Sequence, residues 1–148
     1  MSQNSNADIS HELFQIVKRF LRLDLKLKSI DGLKRSEQEL LVMLAMNFEE
    51  TKKELTVTEI SNHLQITPAG VTQLLNPLEE AGYIERMQAP RTDRRIVRIR
   101  LTDKGTRNGS MLIATAQEKM VELVDLLGEE DSQKFIKMMT LAIELFSK

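Results

Sequence analysis

The chain contains no cysteine, and in 148 residues it has only two histidines, three prolines and six glycines. Without cysteine it forms no disulfide, no thiolate metal site and no thiol redox switch. The histidines, His11 and His63, fall on different elements and make no Ser-His-Asp or metal-ligand spacing. No Walker or dinucleotide glycine pattern occurs. The expectation is a protein with no catalytic residues, no metal and no cofactor, and not an enzyme. No apolar run approaches the roughly 20 residues of a membrane span, and MSQNSNADIS lacks a signal-peptide apolar core, so a cytoplasmic protein without membrane contact is expected. A net charge of -1 gives no global nucleic-acid signature, so any basic site must be local. What is present is 41% hydrophobic content, enough for one well-cored domain or one domain with appended helices, in which the eight methionines act as core filling.

Residues 1–8 are small and polar and read as a disordered tail. From Ile9, apolar residues recur at Leu13, Ile16, Phe20, Leu23, Leu27 and Ile30, a single helical stripe with a basic opposite side. Such a helix can lie on a membrane, but a partner helix accounts better for the stripe. Gly32 ends it, and Ser36 with Glu39 reads as a capping box opening a second helix through about Phe48. Glu49 to Glu54 reads as a loop. Thr56 with Glu59 is another capping box. Thr67-Pro68 supplies an N-cap and a first-position proline a short distance later, so two helices cross steeply in a helix-turn-helix.

Gly82 closes the second of these helices; Tyr83–Met87 and Arg95–Leu101 then read as the strands of a hairpin turning around Pro90. Val97, Ile99 and Leu101 alternate with Ile96, Arg98 and Arg100, giving one packed and one largely cationic face. Thr102 caps the next helix, Gly128 breaks it, and a last helix carries Phe135, Met138, Ala142 and Leu145. The expected fold class is mainly α, a winged helix-turn-helix with a two-stranded β wing between N- and C-terminal helices.

If the helix from Thr67 packs through Val71, Leu74, Leu75 and Leu78, its other face carries Ala69, Thr72, Gln73 and Asn76. Gln and Asn suit the adenine edge, Thr a base or phosphate, and Ala a thymine methyl. The helix start suits a phosphate. An ordinary solvated polar face would look the same. The hairpin adds weight: between Arg86 and Arg107 eight basic residues stand against Asp93 and Asp103, and seven of the eight are arginine. Guanidinium groups bind phosphate in a fork and favour a narrow minor groove, whereas an edge strand merely defended by charge would use lysine.

These residues carry a resemblance. Val57 to Gly105 is similar to the winged helix-turn-helix of the MarR family of bacterial transcription regulators. The most specific pieces are Asp93-Arg94-Arg95, the run Ile99-Arg100-Leu101-Thr102 with Lys104-Gly105, and Leu78 to Arg86. They cover about a third of the chain.

The resemblance implies a homodimeric, sequence-specific regulator of double-stranded DNA, a repressor of pseudo-palindromic operators, for which a small-molecule effector is a further conceivable partner. It implies a dimerisation helix over 9–35, a DNA-binding lobe over 36–102 and dimerisation helices over 103–148. Dimer contacts fall to Ile9, Leu13, Ile16 and Phe20, and to Leu123, Leu127, Phe135 and Leu145. The recognition helix brings Thr67, Pro68, Ala69, Gly70, Thr72, Gln73 and Asn76 to the major groove. The wing brings Arg86, Arg91, Arg94 and Arg95, with Arg94 or Arg95 in the minor groove and Asp93 orienting it.

Two departures from the family pattern stand out. No Lys or Arg occurs from Ile60 to Glu85, so phosphate attraction must come from the wing or from basics such as Lys34 and Arg35. Pro77 lies inside the recognition helix, and Asn76-Pro77-Leu78-Glu79 reads like a fresh N-cap, predicting a kink or restart there. A dimeric winged-helix interaction module that binds an acidic protein is the alternative reading.

Overall fold

The structure is a computed structural model that describes residues 2–21, 29–30, 32–88 and 96–148. The expectations placed on Leu23 and Leu27, and on Arg91, Asp93, Arg94 and Arg95 at the wing tip, lie outside these residues.

Helix α1 spans Ser2–Leu21. It begins well before Ile9, which corrects the expected tail over 1–8. The segment from Ser2 to Asp8 has no proline or glycine, and extending an existing helix is far easier than nucleating one.

Helix α2, Arg35–Thr51, starts from Lys34, whose N–H donates to Glu37 Oε2 at 2.9 Å. The expected pairing of Ser36 with Glu39 is therefore two residues late. Gln38 decides the matter by accepting from Ile30 N–H at 3.2 Å and donating to the Leu33 carbonyl at 3.1 Å. This pins the entering segment, and Glu39 is left to pair with Arg35 on the surface at 3.2 Å. The helix also runs three residues past Phe48, ending at a left-handed Lys52 whose N–H reaches the Phe48 carbonyl at 3.0 Å.

Strand β1, Leu55–Thr56, follows directly on the stretch expected as a loop, and it makes the sheet three-stranded rather than the expected two-stranded. Two residues are too few to show alternation, and Thr56 is also the N-cap of α3, Val57–Leu64. Its capping box is present in both directions: Glu59 N–H to Thr56 Oγ1 at 3.2 Å, and Thr56 N–H to Glu59 Oε2 at 2.8 Å. Helix α4 spans Pro68–Glu80. The hairpin strands are β2, Ile84–Gln88, and β3, Val97–Leu101. The sheet order is β1-β3-β2, all antiparallel, with Leu55 opposite Ile99 and Arg86 opposite Ile99 on the other side. Helices α5, Asp103–Leu127, and α6, Glu129–Phe146, complete the chain and meet at Gly128, whose φ of 81° lies in the left-handed region.

The core gathers inside the lobe. Leu40 and Leu41 of α2, Ile60 of α3, Val71, Leu75 and Leu78 of α4 and Ile84 of β2 are fully buried, and Ile99 of β3 closes over them. The apolar side of α4 is thus the face the periodicity predicts. Helix α4 is continuous through Pro77, which corrects the expected restart at Asn76. The Asn76 side chain caps nothing, because its oxygen is occupied by Arg86. Burial of Leu75 and Leu78 on either side of the proline holds the helix together despite the lost hydrogen bond.

Helix α5 enters the lobe through two glycines one turn apart. A Cβ on Gly105 would collide with the Tyr83 carbonyl, and one on Gly109 would lie 2.8 Å from the Ala45 Cβ. Glycine lets α5 close onto the β2 entry and α2 together. Beyond Leu112, which still belongs to the core, large apolar side chains are left uncovered: Ile9, Leu13, Ile16 and Phe20 on α1, and Phe135 and Leu145 on α6, are exposed, while Leu123 and Leu127 are half-buried. No helix among the described residues is long and apolar enough to cross a membrane.

Candidate nucleic-acid interface

Two crossed helices, α3 and α4, present the polar surface singled out in the sequence. Between α3 and α4, Gln65 takes a left-handed conformation with φ 55°, and Ser61 Oγ donates to the Ile66 carbonyl at 2.5 Å. The chain is thereby turned within three residues onto the Thr67 cap. Thr67 Oγ1 accepts from Gly70 N–H at 3.1 Å. A side chain on Gly70 would lie 3.3 Å from that hydroxyl, so glycine leaves the cap undisturbed. From this start Pro68, Ala69, Thr72, Gln73 and Asn76 are exposed with Thr67, and Gly70 is half-buried. Opposite them Val71, Leu75 and Leu78 are buried. The predicted polar face is therefore a solvent-facing ridge of uncharged hydrogen-bonding groups on a rigidly packed helix.

The wing base differs from its sequence reading. Arg98 and Arg100 do face outward, but Arg98 Nη1 donates to the Glu54 carbonyl at 3.2 Å and Arg100 Nε to Glu54 Oε1 at 2.8 Å. Arg100 also lies 3.9 Å from Glu85. The hydrogen bond and charge of Glu54 raise the Arg100 pKa above its ordinary value. This face is thus met by Glu54, 44 to 46 positions away in sequence, whose carboxylate pairs with Arg100 while its main-chain carbonyl accepts from Arg98, which counting charges within the hairpin cannot reveal. Arg86 likewise donates from Nη1 to Glu79 at 2.7 Å and from Nη2 to Asn76 Oδ1 at 2.8 Å.

The Leu-Thr-x-x-Gly element, Leu101 to Gly105, proves to be a joint. Thr102 Oγ1 accepts from Gly105 N–H at 3.1 Å and donates to the Gly82 carbonyl at 2.6 Å. Lys104 Nζ donates to the Ala81 carbonyl at 2.7 Å and sits 4.4 Å from the Tyr83 ring centre. The residues after α4 and those opening α5 are thereby locked together, joining two of the three stretches that carried the resemblance.

A cleft of about 250 Å³ opens between α2, β1, β3 and α5, bordered by Leu44, Phe48, Glu54 and Arg100. It is smaller than most small-molecule sites and identifies no ligand. Among the described residues, no group of three or more His, Asp or Glu is placed to hold a metal ion.

Helix-turn-helix, three-stranded wing and long flanking helices define a winged-helix protein. Residues 31–96 match the model of the MarR family. The chain is 39% identical over 74 residues to the HTH-type transcriptional regulator PapX of Escherichia coli, a match covering 50% of this chain and 43% of that one. It is 30% identical over 81 residues to the uncharacterized HTH-type transcriptional regulator YwhA of Bacillus subtilis, covering 55% and 58%. The matches thus span about half the length of these relatives. The fold is similar to that of Streptococcus pneumoniae FabT in complex with DNA, with a TM-score of 0.72, 23% identity and coverage of 99% and 98%.

Proposed function

We propose that this chain is a transcriptional regulator that binds double-stranded DNA sequence-specifically as a homodimer and acts as a repressor. The observation that carries this is the exposed, uncharged face of α4 from Thr67 to Asn76, held out on a helix whose opposite side is buried. Thr72, Gln73 and Asn76 offer hydrogen bonds to base edges, and Ala69 offers an apolar contact to a thymine methyl. The backbone grip falls to the wing tip, where Arg91, Arg94 and Arg95 contact the duplex and Asp93 orients Arg94 or Arg95 in the minor groove. Arg86 enters this reading through Asn76, since both its terminal nitrogens are engaged with protein.

A second copy accounts for the flanking helices. Ile9, Leu13, Ile16 and Phe20, with Phe135 and Leu145, expose apolar surface that a homodimer would cover together with Leu123 and Leu127. Two recognition helices then fall about one duplex turn apart and read a pseudo-palindrome. A small-molecule effector would release DNA by favouring a dimer with the wrong spacing between these helices.

The test is an unbiased selection of bound duplexes with the full chain, followed by affinity against salt. A two-fold symmetric motif is expected, with a steep loss of affinity as salt rises. Equal binding to every duplex at moderate salt would dismiss the regulator, and the wing would then be examined as a surface for an acidic protein.

A further inference from the structure

The hydrogen bonds around Asn76 say which end of its amide faces a duplex. Arginine has donors and no acceptor, so the Asn76 atom 2.8 Å from Arg86 Nη2 must be the oxygen. Arg86 is itself held by Glu79 at 2.7 Å, one helical turn along α4 from Asn76. The planar amide therefore turns Oδ1 toward β2 and leaves its NH2 group leading outward. Pairing with adenine needs the oxygen to accept from N6 while the nitrogen donates to N7. An NH2 group leading alone carries two donors, and the base edge that matches it is guanine, whose N7 and O6 both accept.

We propose that Asn76 reads guanine rather than adenine, and that Arg86 and Glu79 are positioning residues which set this choice without touching the base. The inference rests on the DNA-binding reading above and deepens it. The Arg86–Glu79 pair is partly solvent-exposed, with side-chain exposures of 27% and 41%, and pairs of this kind contribute little to stability. Its substitution therefore reports on sequence choice more than on folding. The pair also explains how a recognition helix with no Lys or Arg of its own uses an arginine, borrowed from the neighbouring strand to orient an amide.

The experiment is the selection of bound duplexes with the full-length wild type, Asn76→Ala, Asn76→Asp, Arg86→Met and Glu79→Gln, each first checked for a wild-type melting profile. The base pair read by Asn76 is the one whose preference disappears in Asn76→Ala. In the wild type it should be guanine, favoured about tenfold over adenine. Arg86→Met frees the amide to rotate and should bring guanine and adenine to within about twofold at that position only. Glu79→Gln should shift the preference the same way by less. Asn76→Asp keeps the acceptor toward Arg86 but has no donor, and should lose guanine altogether, which tests the proposal even if Arg86→Met does not fold. Adenine at that position in the wild type, an unchanged motif with folded Arg86→Met, or no position altered by Asn76→Ala would overturn the inference while leaving DNA reading intact. A wild type that selects no motif at all would overturn both.

Discussion

The winged-helix lobe and the flanking helices are built from similar apolar residues, yet only the lobe closes over its own. In the lobe, Leu40, Leu41, Ile60, Val71, Leu75 and Leu78 are fully buried by contacts within the chain. On α1 and α6, Leu13, Phe20, Ile143 and Leu145 are each more than half exposed. The lobe has three helices and a sheet that meet from different directions, so most of its apolar residues find cover. The flanking helices are long and have too few neighbours, and their apolar stripes end at solvent. Amphipathic periodicity shows that a face will be covered, but not whether the cover comes from the same chain.

Substitutions at the joint and core should break this contrast first. Gly105→Val drives a side chain into the Tyr83 carbonyl and should cost about 3 kcal/mol or more, read by denaturation of the full chain. A wild-type transition would mean that α5 does not close on the lobe as described. Leu75→Ala should cost about 2–5 kcal/mol through the cavity left in a fully buried position. On the other side of the comparison, Ile16→Asp should weaken self-association at least about tenfold in sedimentation velocity and leave the lobe's near-ultraviolet signature unchanged. A dimer insensitive to this change would remove α1 from the proposed interface.

The functional surfaces divide in a similar way. Gln73→Ala on the exposed face of α4 should cost roughly 1–3 kcal/mol against the preferred sequence and almost nothing against random duplex. Arg94→Ala with Arg95→Ala should instead weaken binding to all sequences and flatten the salt slope by about one to two units. If both variants lose affinity in the same pattern, reading and grip are not separate.

Much of the lobe is legible from local chemistry. The Thr56 and Thr67 caps, the Gly82 and Gly128 stops, the packed face of α4 and the alternation of β3 all involve neighbours within one turn or one strand, where spacing alone determines geometry. Local signals misled where something distant or shared intervened. The α2 start moved to Lys34 because Gln38 anchors the preceding segment, and β1 was hidden because its pairing with β3 lies more than forty residues away. Pro77 resembles a restart in sequence, but the buried leucines on either side keep α4 whole.

The sequence by itself determined most of the helices, the hairpin, the Thr56, Thr67 and Thr102 caps and the polar ridge of α4, because those depend on residues a few positions apart. Only the tertiary structure decided which charges remain available. Glu54 pairs its carboxylate with Arg100 and offers its main-chain carbonyl to Arg98, and Glu79 with Asn76 engages Arg86, because folding brings acceptors from other elements within hydrogen-bond distance of the wing base. A row of arginines in sequence is a count of charge; what each can still bind depends on what the fold has already placed against it.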